Sequence, residues 1–123
     1  LAKNPLITAI GTGGMMYQTV NGFMGATAIE AIRQYSFERA FIGSCGIDMT
    51  DLSVTTLGPE DGLTKKAAIE NSRHSYVMME REKFYFNESY KFTHLDDVHG
   101  IITDENPDST IIKTLESAGV HLY

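Results

Sequence analysis

Positive charge is scarce in this sequence. Ten Lys and Arg stand against sixteen Asp and Glu, a formal net charge of −6. Nucleic-acid binding takes most of its affinity from neutralised phosphates. The few cations are also scattered, with Lys65-Lys66 their only adjacent pair, so DNA binding by this stretch of chain is not expected. A single cysteine, Cys45, leaves no intrachain disulfide to form and points to a reducing, cytoplasmic setting. No apolar run approaches the roughly 18 residues of a membrane span, so no membrane partner is expected. Residues 1–8 hold a Lys and a Pro where a secretory signal would be apolar. The four histidines show no pair at helical metal-ligand spacing and have no second Cys to join, which argues against a zinc site. Nothing asks for a cofactor.

What is present is a globular composition. Hydrophobic residues make up 42% and charged residues 21% of 123 positions, the balance of one folded domain. At that length roughly two thirds of the unfolded surface can be buried.

The elements alternate in type. Leu6–Ile10 reads as a strand running into the turn Gly11-Thr12-Gly13-Gly14. Met15–Val20 is a second short strand, with Asn21-Gly22 a turn behind it. Apolar positions from Phe23 to Tyr35 follow helical spacing. A strand follows at Arg39–Gly43, and Ser44–Thr56 reads as loop with an extended piece near Leu52–Val54. Pro59, with Glu60 and Asp61 beside it, starts a helix that runs to about Ser72. Ser75–Met79 is a strand, Phe84–His94 is aromatic-rich and ambiguous, and Gly100–Thr103 is a buried strand. Pro107 and Asp108 open a last helix that Gly119 ends, and Val120–Leu122 closes as a short strand. Such alternation predicts an α/β fold with a mostly parallel sheet, whose ligands sit past the carboxyl ends of the strands.

Those loops hold the chemistry-bearing residues. The glycines around Gly13 and Gly14 let backbone N–H groups approach an anion, although such turns often serve only as turns. Ser44, Gly46 and Asp48 form a small, polar loop directly after a strand, and Asp48 also suits a turn or cap. Cys45 has no adjacent base to make it a nucleophile and reads better as a small buried or half-buried thiol. Thr55-Thr56 leads into the helix on which Asp61 and Lys65 share a face at i, i+4. They form either a solvated ion pair or the rim of a pocket in which Lys65 meets an anionic group. Glu80-Arg81-Glu82-Lys83 is a charged run, usually a solvated face, yet it follows a strand's carboxyl end. The aromatics from Phe84 to Phe92 suit a core or a subunit contact.

In their order these motifs resemble the C-terminal effector-sensing domain of DeoR-type bacterial transcriptional regulators. The closest match is Ala40-Phe41-Ile42-Gly43-Ser44-Cys45-Gly46-Ile47-Asp48, against the family's Ala-Phe-Leu-Gly-x-x-Gly-Ile-Asp. Ile10–Gly14, Asn21–Gly25 and Val54-Thr55-Thr56 resemble further family segments. So do Asp61, Lys65 and Ile69, Lys83-Phe84, Ile101–Asp104 and Ala118-Gly119-Val120. Two departures stand out: Asp61 replaces a Glu, and Glu80-Arg81-Glu82 replaces Asp-Ser-Ser.

The resemblance implies a three-layer α/β fold with a mostly parallel sheet flanked by helices, related to sugar-phosphate isomerases and CoA transferases. It implies a non-catalytic module of a regulator, usually a repressor, that senses a phosphorylated sugar or similar small anionic metabolite. The implied ligand-binding set is Gly13, Gly14, Ser44, Gly46, Asp48, Thr55, Thr56, Asp61 and Lys65, with Lys83 at the edge. The chain begins at Leu1 and enters a strand-like segment almost at once, as an excised piece would. Residues 1–123 are thus expected to be a partial sensing domain. In the family a winged helix-turn-helix and an Asp-x-Gly-Thr-Thr phosphate loop precede this region, so DNA would be reached only through that missing part. A sheet edge left open by the missing strands invites association of copies, and a homo-oligomer is expected. Two other readings remain. An isomerase of the ribose-5-phosphate type would need an acidic cluster and a Lys-Gly-Gly-Gly run that Ser44–Gly46 and residues 51–58 lack. A purely structural dimerisation domain is the third.

Overall fold

Among the residues that the structure describes, two three-stranded sheets share one core around a central helix. The computed structural model describes residues 3–18 and 22–123. Strand β1 (Met15–Tyr17) and strand β2 (Gly22–Met24) form an antiparallel hairpin. Then follow α1 (Ala26–Arg33), β3 (Phe37–Gly43), β4 (Gly46–Asp48), β5 (Ser53–Thr56), α2 (Pro59–Glu70) and β6 (Ser72–Met79). A 3-10 turn at Arg81–Tyr85 leads to β7 (Tyr90–His94), and a second at Leu95–Asp97 leads to β8 (Gly100–Thr103) and α3 (Ser109–Ser117).

Strands β3, β6 and β8 pair in parallel in the order β3-β6-β8. Leu122 adds a parallel bridge to Ile101 at the outer side of β8. With helices flanking it, this sheet gives the mixed α/β architecture that the alternation predicts. The second sheet, β4-β5-β7, is wholly antiparallel. It arises from the stretch 44–56 that reads mostly as loop, and from the ambiguous aromatic stretch. Helix α2 packs against β3 and β6 of one sheet and against β5 and β7 of the other. Ala67 and Ile69 are its buried apolar residues, and Gly62 is buried beside the Tyr90 ring.

Local chemistry sets the helix limits. Pro59 occupies the first turn of α2, where its missing N–H costs nothing, and Glu60 and Asp61 complement the helix dipole. Helix α3 ends in a Schellman closure: Gly119 sits at φ 74, its N–H donates to Glu116 O, and Val120 N–H donates to Leu115 O. The predicted helix over Phe23–Tyr35 is shorter, because Phe23 and Met24 pair in the hairpin and Gly25 at φ 94 breaks the chain before Ala26.

The predicted strand at Leu6–Ile10 does not form. That segment has no regular structure, and Leu6 and Ile10 are 92% and 69% exposed. A strand exists only where a neighbour completes its ladder, and none of the described strands lies beside this segment. Of the second predicted strand, Met15–Tyr17 is realised. Val20 and the turn residue Asn21 lie outside the described residues.

The inner face of the parallel sheet carries Ala40, Ile42, Val77, Met79 and Ile101 into the core, where Ile47, Val54, Phe84 and Phe92 of the other elements meet them. On the opposite face Phe41 stacks on Tyr76 with ring centroids 5.7 Å apart, and both Phe41 and Met78 stay exposed.

Candidate functional site

All four residues of β5 are buried, although three carry hydroxyls. Buried hydroxyls need partners, and the partners chosen by Thr55 and Thr56 divide the strand's roles. Thr55 Oγ1 accepts the Glu88 N–H at 2.9 Å and ties β5 to the loop before β7. Thr56 points to the start of α2, and its hydroxyl donates to Asp61 Oδ2 at 2.5 Å. Lys65 Nζ lies 2.8 Å from the same oxygen and 3.5 Å from Thr56 Oγ1. The Cys45 Sγ stands 3.5 Å from that hydroxyl. The Asp61 and Lys65 side chains are only 22% and 20% exposed. The i, i+4 pair read from the sequence is therefore a sheltered one, and Lys65 also lies 5.5 Å from the Phe92 ring centroid.

This cluster forms one wall of a cavity of about 660 Å³. The β1–β2 hairpin supplies the other wall through Tyr17, Phe23 and Met24, and the first turn of α2 supplies Gly58, Pro59 and Glu60. Tyr17 donates its hydroxyl to Glu60 Oε2 and so joins hairpin to helix. That bond is the main reason the Tyr17 pKa is raised, since a carboxylate acceptor favours the protonated phenol. The Gly25 N–H donates to Thr64 Oγ1 at 3.1 Å and fixes the same junction.

A second cavity, about 520 Å³, opens past the carboxyl ends of β3, β6 and β8. Ser44, Glu80, Lys83 and Asp104 line it beside Met78 and Met79. The buried Ser44 hydroxyl has no hydrogen-bond partner among the described residues. Asp104 is held below the ordinary carboxylate range chiefly by the Arg81 N–H, which donates to its Oδ1 at 2.8 Å.

The structure thus brings Thr56, Asp61 and Lys65 together and places Ser44 and Lys83 in the neighbouring cavity. The remaining residues of the predicted set lie elsewhere. Asp48 turns to the antiparallel sheet: its Oδ1 accepts the Thr50 N–H at 2.9 Å and its Oδ2 lies 3.2 Å from Lys91 Nζ. Those contacts, the Thr50 N–H first, lower its pKa, and Asp51 is brought to about 2 mainly by Lys91. Gly46 packs against backbone, since a Cβ there would stand 2.3 Å from the Phe86 carbonyl oxygen. Gly14, at φ 109, lies where a Cβ would be 3.2 Å from the Ala28 nitrogen. Gly13, at φ 71, faces open space.

Sequence reasoning missed Tyr17 and Glu60 as cavity residues, because nothing local links positions 43 apart. Cys45, expected as a small buried or half-buried thiol, is half-buried, and it also lines the cavity. Its place beside Thr56 follows from the β4–β5 pairing, in which the Cys45 N–H donates to Thr55 O.

Comparison with known proteins agrees with the order of motifs. The family model described as DeoR C terminal sensor domain matches residues 1–105. The chain is 30% identical over 92 residues to an "Uncharacterized HTH-type transcriptional regulator FruR" of Bacillus subtilis (strain 168), covering 75% of this chain and 36% of that protein. It is 26% identical over 110 residues to the "HTH-type transcriptional repressor GlcR" of the same organism, covering 89% and 42%. It is 27% identical over 110 residues to the "Glycerol-3-phosphate regulon repressor" of Escherichia coli (strain K12), covering 89% and 43%. The chain spans less than half the length of each of these relatives.

Proposed function

Because the chain belongs to the DeoR C-terminal sensor domain family, we propose that it is the effector-binding part of a transcriptional repressor, with its effector, a phosphorylated sugar or similar metabolite, received in the cavity between the β1–β2 hairpin and α2. A relative whose printed name is "Glycerol-3-phosphate regulon repressor" supports that class of ligand. The relatives are named as regulators, not enzymes, and the cavity is read here as a binding site without catalysis.

The observation that carries the proposal is the sheltered Thr56–Asp61–Lys65 cluster facing a cavity large enough for a small metabolite. A structural ion pair on a helix would be exposed and weak; this one is largely withdrawn from water and linked to a strand hydroxyl. In such a site Lys65 orients the ligand, and effector binding shifts the regulator between states by differential affinity. DNA is reached through the remainder of the regulator. Copies of the chain associate through the exposed Phe41 face or the edge of β3 that no described strand covers, in keeping with an oligomeric repressor.

Replacing Lys65 by alanine is expected to weaken sugar-phosphate binding to the regulator that carries this chain by roughly 1.5–3 kcal/mol, the worth of a hydrogen bond to a charged group. Calorimetric titration of variant and parent checks this, with thermal melting as the control for folding. Unchanged affinity in a folded variant would return Lys65 to a structural ion pair.

A further inference from the structure

We propose that the hydrogen bond between Tyr17 and Glu60 is a clasp on the cavity between the hairpin and α2. It holds the far end of the β1–β2 hairpin against the helix, and its release opens a way in. The hairpin register shows where the bond acts. Met15 pairs with Met24 at the root, and Tyr17 pairs with Gly22 at the other end. The root is anchored twice. Gly14 packs on α1, where a Cβ would stand 3.2 Å from the Ala28 nitrogen, and the Gly25 N–H donates to Thr64 Oγ1 at 3.1 Å. At the far end, Tyr17 to Glu60 Oε2 is the one side-chain hydrogen bond that the described residues of the two strands make to α2.

Packing alone does not hold that end. Met15 and Met16 are 68% and 53% exposed, and Met24 is the one buried residue of the two strands. A two-stranded ribbon with so little buried apolar surface is marginal by itself, and such segments open without global unfolding. The pivot has room to turn, since Gly25 takes φ 94 and a Cβ there would meet nothing within 4 Å. A phenol hydroxyl donating to a carboxylate is a charge-assisted bond, so its loss shifts the hairpin towards the open state. Both partners line the cavity, and the bond therefore spans its rim.

Cys45 reports the opening, because it is half-buried and lines the same cavity. The thiol of the ligand-free chain is labelled with iodoacetamide, a small reagent, and with fluorescein maleimide, a bulky one. Parent, Tyr17→Phe and Glu60→Ala are compared, with thermal melting as the control for folding. The clasp predicts faster labelling in both variants, by roughly threefold or more with the bulky reagent and by less with the small one. A bulky-reagent rate equal to the parent's in either variant would overturn the proposal. Equal gains with the two reagents would overturn it too, since they would mean an altered thiol and not a wider opening. No effector enters the experiment, so its failure leaves the effector reading to its own test.

Discussion

Replacing Phe84 by alanine is expected to lower the stability of this chain by roughly 3–5 kcal/mol, the usual cost of deleting a buried aromatic. In a domain of this size that is a fall in melting temperature of about 10 °C or more. Phe84 is 2% exposed and belongs to the core that both sheets share with α2 and α3. It rides on the 3-10 turn Arg81–Tyr85, which touches β4 and β6 at once. Removing the ring therefore opens a cavity where the two sheets meet, and neither can close it without moving the other. The neighbouring Tyr85 and Phe86 are about half exposed, so Phe86→Ala is expected to cost far less. Urea denaturation of the two variants checks the contrast. Equal losses would mean that Phe84 is not the anchor of this junction.

Gly46→Ala carries the second large effect. Its new methyl group would lie 2.3 Å from the Phe86 oxygen, 2.7 Å from the Phe86 carbonyl carbon and 3.1 Å from Thr55 Oγ1. The two nearest atoms are backbone and cannot rotate away. The same oxygen accepts the Ile47 N–H at 2.7 Å, so a shift that relieves the clash also stretches a buried hydrogen bond. Overpacking together with a weakened bond is expected to cost roughly 2–4 kcal/mol. Gly13→Ala, at a position facing open space but with φ 71, is expected to cost only about 1 kcal/mol of backbone strain. A Gly46→Ala variant with an unchanged unfolding midpoint would show that the loop after β3 has slack to spare.

Gly46 illustrates what the sequence could convey. A glycine after a strand signals close approach by something without naming it; here that neighbour is the chain's own backbone at Phe86. The parallel strands and their helices were legible because their cues are local. Buried residues alternate along β6 at Ser75, Val77 and Met79, Pro59 marks the start of α2, and Gly119 marks the end of α3. The antiparallel sheet was not legible. Ser53, Thr55 and Thr56 look like loop residues and become core residues only through partners far along the chain, as Glu88 is for Thr55. At Leu6–Ile10 the local pattern is that of a strand, and the missing ingredient is a neighbour. The site divides along the same line. Asp61 and Lys65 announce themselves by spacing on a helix, whereas Tyr17 meets Glu60 only because the hairpin folds onto α2.

Whether the cavity receives the effector can be read directly from the chain's one thiol. Cys45 is the single cysteine, is half-buried, and lines the cavity beside Thr56. Its rate of alkylation by iodoacetamide reports whether the cavity is filled. A phosphorylated sugar that raises the melting temperature of the regulator is expected to slow labelling of Cys45 in proportion to occupancy, and Lys65→Ala is expected to demand more ligand for the same protection. A ligand that stabilises the protein yet leaves the labelling rate of Cys45 untouched would place the effector elsewhere and contradict the account.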